Sequence, residues 1–207
     1  MVKKNILFNQ KLVLNQWMLG LFGVESFDEL AIHLKDDELE GLDDTNIHNF
    51  HKAICLHISN KKRPELTNDI LLEYDNAIVT TLGEINQQRH LRGEPAIVWK
   101  YFQYLALLFT EIYLDRYFTN PLELLKSLNR QIVYWNQDKS KIDELTLLDE
   151  RSEPKAQINK IAYWMATGSG KTLLMHANII QYQRHLKKHG LENTVNKTIL
   201  LTPNEGL

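Results

Sequence analysis

Lys160-Ile161-Ala162-Tyr163-Trp164-Met165-Ala166-Thr167-Gly168-Ser169-Gly170-Lys171-Thr172 is the stretch on which the reading of this chain turns. Its first six residues are short, apolar and partly aromatic, the pattern of a buried strand. Gly168 and Gly170 follow, where glycine permits positive φ and lets backbone N–H groups close around an anion. A helix is expected from about Lys171 to His189. Gly190 stands just beyond it, and Lys187, Lys188 and His189 in the last turn complement its dipole. Strand, glycine loop, Lys-Thr and helix form a phosphate-binding arrangement. The helix N-terminus points free N–H groups at the anion. Lys171 is placed to reach the β- and γ-phosphates of a nucleotide, and the Thr172 hydroxyl to bind Mg²⁺. Met165 stands where the generic motif has its first glycine, so the match is to a variant of that motif.

The variant wording Ala166-Thr167-Gly168-Ser169-Gly170-Lys171-Thr172 resembles motif I of superfamily 2 helicases and translocases. Trp164-Met165 before it and Leu173-Leu174-Met175-His176 after it resemble the DEAD/DEAH-type ATPases related to the helicase subunits of type III restriction enzymes. Thr198-Ile199-Leu200-Leu201, read as a second strand, leads into Thr202-Pro203, which is similar to that family's motif Ia. The resemblance implies ATP and Mg²⁺ as cofactors, with residues 166–172 as the nucleotide site. It implies DNA, contacted through its backbone at Thr202 and Pro203, as a partner. A methyltransferase or another restriction-system subunit is a second implied partner. Members of the superfamily also read adenine with an upstream glutamine, and Gln103 in Tyr101-Phe102-Gln103-Tyr104 is the candidate. Gln157 lies closer to the loop but in a polar setting.

The expected fold class is therefore α/β: a mostly helical N-terminal region over 1–135, a linker over 136–158, and the start of a RecA-like lobe with an incomplete parallel sheet over 159–207. Outward from the loop the signals are helical. Ser26 is a candidate N-cap before Phe27-Asp28-Glu29-Leu30. Thr45 is expected to cap a helix through Ile47, Phe50 and Ile54. Thr67 or Asn68 starts a longer one to about His90, with Ile70, Leu71, Tyr74, Ile78 and Leu82 at helical spacing. Gly93-Glu94-Pro95 ends it. An apolar helix runs from about Val98 to Tyr117, and another begins after Asn120-Pro121, where proline suits a first turn. Lys61-Lys62-Arg63-Pro64 is a basic break.

Composition bounds the rest. Apolar residues make up 43% of 207, ordinary for a globular chain. A single cysteine, Cys55, excludes an internal disulfide, and neither a signal peptide nor a membrane span is legible, so the cytoplasm is expected. Residues 1–150 carry 16 Lys+Arg against 23 Asp+Glu, a net of −7, whereas residues 151–207 carry 8 against 3, a net of +5. The basic part holds the phosphate loop, which suits a polyanion.

A motor of this class also needs an Asp-Glu box on a later strand and an arginine from a second lobe. No Asp-Glu pair follows the loop. Asp149-Glu150 precedes it and reads as a solvated surface pair. The expectation is an N-terminal piece that binds ATP and does not hydrolyse it efficiently alone, with no complete catalytic set. The other reading is a helical module that docks a partner and carries a vestigial loop. Three further patterns are weaker. His48, His51 and Cys55 share a helix face but lack a fourth zinc ligand. Glu153-Pro154-Lys155 mimics a nuclease signature in a loop setting. Cys55 lacks the basic surroundings of a nucleophile.

Overall fold

The computed structural model describes residues 11–57, 65–137, 144–195 and 197–199. Their regular structure is helical, and the only β-pairing among them is an isolated antiparallel bridge between Leu42 and His48. The helices are α1 (Val13–Phe22), α2 (Phe27–Ala31), α3 (Asn49–His57), α4 (Asn68–Leu91), α5 (Tyr101–Thr119), α6 (Pro121–Gln137), α7 (Pro154–Gln157) and α8 (Lys171–Lys188).

This corrects the α/β expectation with its parallel sheet. Residues 160–166 are neither strand nor helix. A strand is stable only when a neighbour satisfies its backbone groups, and no described segment pairs with this run. Thr198 and Ile199 make no ladder, and Leu200 and Leu201 lie outside the described residues. The run is held by its side chains instead. Ile161 and Met165 pack against the main core, and the Tyr163 hydroxyl bonds to Thr110 Oγ1 on α5.

Local chemistry sets the helix ends. Ser26 Oγ accepts the Glu29 N–H at 3.2 Å, and Thr67 Oγ1 accepts the Ile70 N–H at 3.3 Å. Asn120 Oδ1 accepts from Glu123 N at 3.1 Å, beside Pro121 in the first turn of α6. Thr45 does not cap α3. Its N–H and hydroxyl both donate to Asp43 Oδ1 at 2.8 Å, and the Ile47 N–H donates to the same oxygen at 2.9 Å. α3 then starts four residues later. The Lys52 ammonium and those N–H groups hold the Asp43 carboxyl far below the usual carboxylate range.

One core runs through α1, α2, α3, α4, α5, α6 and α8. Trp99, Tyr104, Phe22 and Phe50 are among its largest fully buried side chains, each contributing roughly 2 kcal/mol by leaving water. The core also holds a carboxylate. Asp75 is fully buried on α4 and accepts from His48 N at 3.1 Å, His48 Nδ1 at 2.9 Å and Tyr104 Oη at 2.7 Å. A buried acid is tolerated when its lone pairs are met in this way. Burial and the nearby Asp75 charge push the Tyr104 phenol well up.

Segments between helices are stitched by side-chain amides. Asn86 takes both backbone groups of Ile97, at 2.7 and 3.0 Å. Asn129 does the same for Leu148, at 2.8 and 3.0 Å, and Asn136 for Leu145, at 2.9 and 2.8 Å. Each amide mimics one rung of a sheet. The described part of the 136–158 segment is therefore fastened to α6.

Candidate nucleotide-binding site

The loop sits between the extended run and α8. Ala166 O accepts from Ser169 N at 3.3 Å and from Ser169 Oγ at 2.7 Å, closing a turn. Gly168 (φ 80°) and Gly170 (φ 84°) both take the left-handed conformation that the loop chemistry demands. α8 follows at once, with Leu174 N bonding to Gly170 O at 3.0 Å. Its first turn holds no acidic residue, and Gly170 offers no side-chain cap. The first N–H groups of the helix are thus left for an external acceptor. Ala166, Thr167 and Gly168 are exposed, as are Lys171 and Thr172, while Ser169 and Gly170 are half-buried. Lys171 lines a groove of about 1060 Å³ that runs along α8 between Ile161, Tyr163 and Met165 on one side and Val195, Lys197 and Thr198 on the other.

Helices, not a sheet, hold α8 in place. Leu174 and Ala177 face the core at its start. Further along the same face turns polar: Gln181 Nε2 donates to Leu107 O at 3.0 Å. Arg184 Nη1 reaches Glu111 Oε1 at 3.0 Å, His185 Nε2 lies 2.8 Å from Glu111 Oε2, and Arg184 Nη2 donates to Thr81 Oγ1. The helix ends in a Schellman motif, with Gly190 N to Lys187 O at 3.1 Å and Leu191 N to Leu186 O at 2.8 Å.

Gln103, sixty-six positions from Ser169, reaches the loop. Its Oε1 accepts from Lys100 N at 3.0 Å, and its Nε2 donates to Ser169 O at 3.0 Å. Both polar ends thus meet backbone, and the carboxamide faces the loop's peptide. A Cβ on Gly170 would stand 2.7 Å from Gln103 Nε2. Lys100 is anchored by Glu40 at 2.6 Å, which raises the pKa of its ammonium.

The other candidates are placed as follows. Thr202 and Pro203 lie outside the described residues. Gln157 is half-buried, and its amide takes both backbone groups of Asp149, at 2.8 and 2.7 Å. Asp149 itself caps a turn through Arg151 N and Ser152 Oγ, contacts that lower its pKa. Glu150 accepts from Asn129. These acids are structural. His51 and Cys55 approach to 3.6 Å, while the His48 imidazole is turned to Asp75. No group of three metal ligands forms among the described residues. No helix among them is long and apolar enough to cross a membrane.

Compared with models of protein families, with curated proteins and with solved structures, the chain matches none.

Proposed function

We propose that this chain binds ATP with Mg²⁺ at the 166–172 loop, as part of a nucleic-acid-dependent motor of the superfamily 2 type. The observation that carries the reading is the conjunction at the start of α8. Two glycines at positive φ run directly into an uncapped helix N-terminus, with Lys171 and Thr172 exposed in its first turn. The geometry suits a polyphosphate: N–H groups and the dipole end face the anion, Lys171 supplies a mobile positive charge, and Thr172 a hydroxyl for the cation. Nucleotide binding is the activity assigned to these residues, on the glycine loop and the helix start alone. DNA is the proposed partner, by the same resemblance and by the net charge of +5 over residues 151–207.

Titration with fluorescent ATP tests this. The reading expects saturable binding that Mg²⁺ strengthens and that Lys171→Ala weakens by at least about tenfold, the loss of one charge-assisted contact. Equal binding by Lys171→Ala and parent refutes it.

A further inference from the structure

We infer that Gln103 is a positioning residue that presets the phosphate loop from the start of α5; the inference rests on the nucleotide reading above. Oε1 is fixed by the Lys100 N–H, so the carboxamide cannot turn freely. Its Nε2 then holds the Ser169 carbonyl at 3.0 Å. In a planar trans peptide the carbonyl and the following N–H point in opposite directions. Pinning Ser169 O toward α5 therefore turns the Gly170 N–H away from α5, to the side left open for an anion. Gly170 completes the fit. It stands at φ 84°, and any side chain there would meet Gln103 Nε2. The same amide thus orients one peptide and lies against the next residue, where the positive φ favours glycine. Such a loop does not have to reorganise when its ligand arrives, and preorganisation of this kind shows as affinity.

A positioning role differs from base reading in what it discriminates. A residue that sets the loop affects every polyphosphate alike, whatever base it carries. The experiment measures the affinity of the full chain for fluorescent ATP, fluorescent GTP and, by competition, inorganic tripolyphosphate. Parent, Gln103→Met and Gln103→Glu are compared, each with its helix content by circular dichroism. Gln103→Glu keeps an acceptor for Lys100 N but replaces the donor with a carboxylate and adds a charge. It therefore carries the test if Gln103→Met fails to fold only when the affinities are read at high salt, where a through-space charge effect is screened and the lost hydrogen bond is not.

The inference expects all three ligands to weaken together, by about three- to tenfold for the lost hydrogen bond, with helix content unchanged. Loss of ATP-over-GTP preference with tripolyphosphate binding untouched would make Gln103 a base reader and overturn it. So would unchanged affinity for all three. If the parent binds none of them, or Lys171→Ala binds as the parent does, the nucleotide reading falls first and the inference falls with it.

Discussion

Arg184 on α8 and Glu111 on α5 meet at 3.0 Å, and Glu111 is only 2% exposed while its other oxygen lies 2.8 Å from His185. The pair is the polar bolt between the helix that follows the 166–172 loop and the helical core. Arg184 also donates to Thr81 on α4, so one side chain joins three helices.

Removing the acid leaves a partly buried guanidinium without its counter-charge. Glu111→Ala is expected to destabilise the fold by ~2–3 kcal/mol, near the lower end for broken buried pairs because Arg184 retains some access to water. Urea denaturation followed by circular dichroism measures it. A loss below ~0.5 kcal/mol, the range of ordinary surface changes, would show that the bolt is dispensable.

Asp75 and Tyr104 allow a graded comparison. Tyr104→Phe removes one donor to the buried carboxylate and is expected to cost about 1 kcal/mol. Asp75→Ala strands the backbone and ring donors of His48 as well as the Tyr104 hydroxyl, and is expected to cost about 3 kcal/mol or more. Equal losses in the two variants would contradict the network as described.

Glycines at two sites should respond with opposite sign. Gly83 lies in the interior of α4 with open space around it. Gly83→Ala should stabilise the protein by roughly 0.5–1 kcal/mol, through helix propensity and a less free unfolded chain. Gly190 also has open space, but its φ is 66°. Gly190→Ala should cost about 1 kcal/mol by putting a Cβ on a left-handed residue. Thermal melts of the two variants settle the signs.

His189 links stability to pH. Burial lowers its pKa below the usual 6.5, helped by the neighbouring Lys188 and His185 charges and Lys155, and opposed by Asp115. The unfolded chain therefore takes up this proton more readily than the folded one. The stability tied to neutral His189 is present above about pH 6.5 and is lost as pH falls through the folded value. The melting temperature should drop from pH 7.5 to pH 5.5, and less steeply in His189→Gln. Parallel slopes for parent and variant would assign the effect elsewhere.

What was legible in the sequence was local. Ser26, Thr67, Asn120-Pro121 and Gly190 announced their helix ends because a cap is made within a few residues of itself. The positive φ of Gly168 and Gly170 followed from the motif for the same reason. Non-local pairing was not legible. Lys160–Met165 has a strand's composition, but a strand exists only beside a partner, and the described chain brings α5 and α8 to it instead. Asn86, Asn129 and Asn136 read as ordinary polar residues, yet each satisfies a backbone segment 9 to 19 positions away. Gln103 stands out in the sequence among its aromatic neighbours, but its meeting with Ser169 depends on how α5 and α8 cross.

On the proposed function, the loop's own backbone cradles a polyphosphate. Amide ¹H–¹⁵N spectra of the labelled protein, recorded while ATP and Mg²⁺ are added, test it residue by residue. Saturable shifts are expected, concentrated at Gly168, Ser169, Gly170, Lys171 and Thr172, and lost in Lys171→Ala. Unmoved loop amides at saturating ATP, or shifts confined to another part of the molecule, would contradict it.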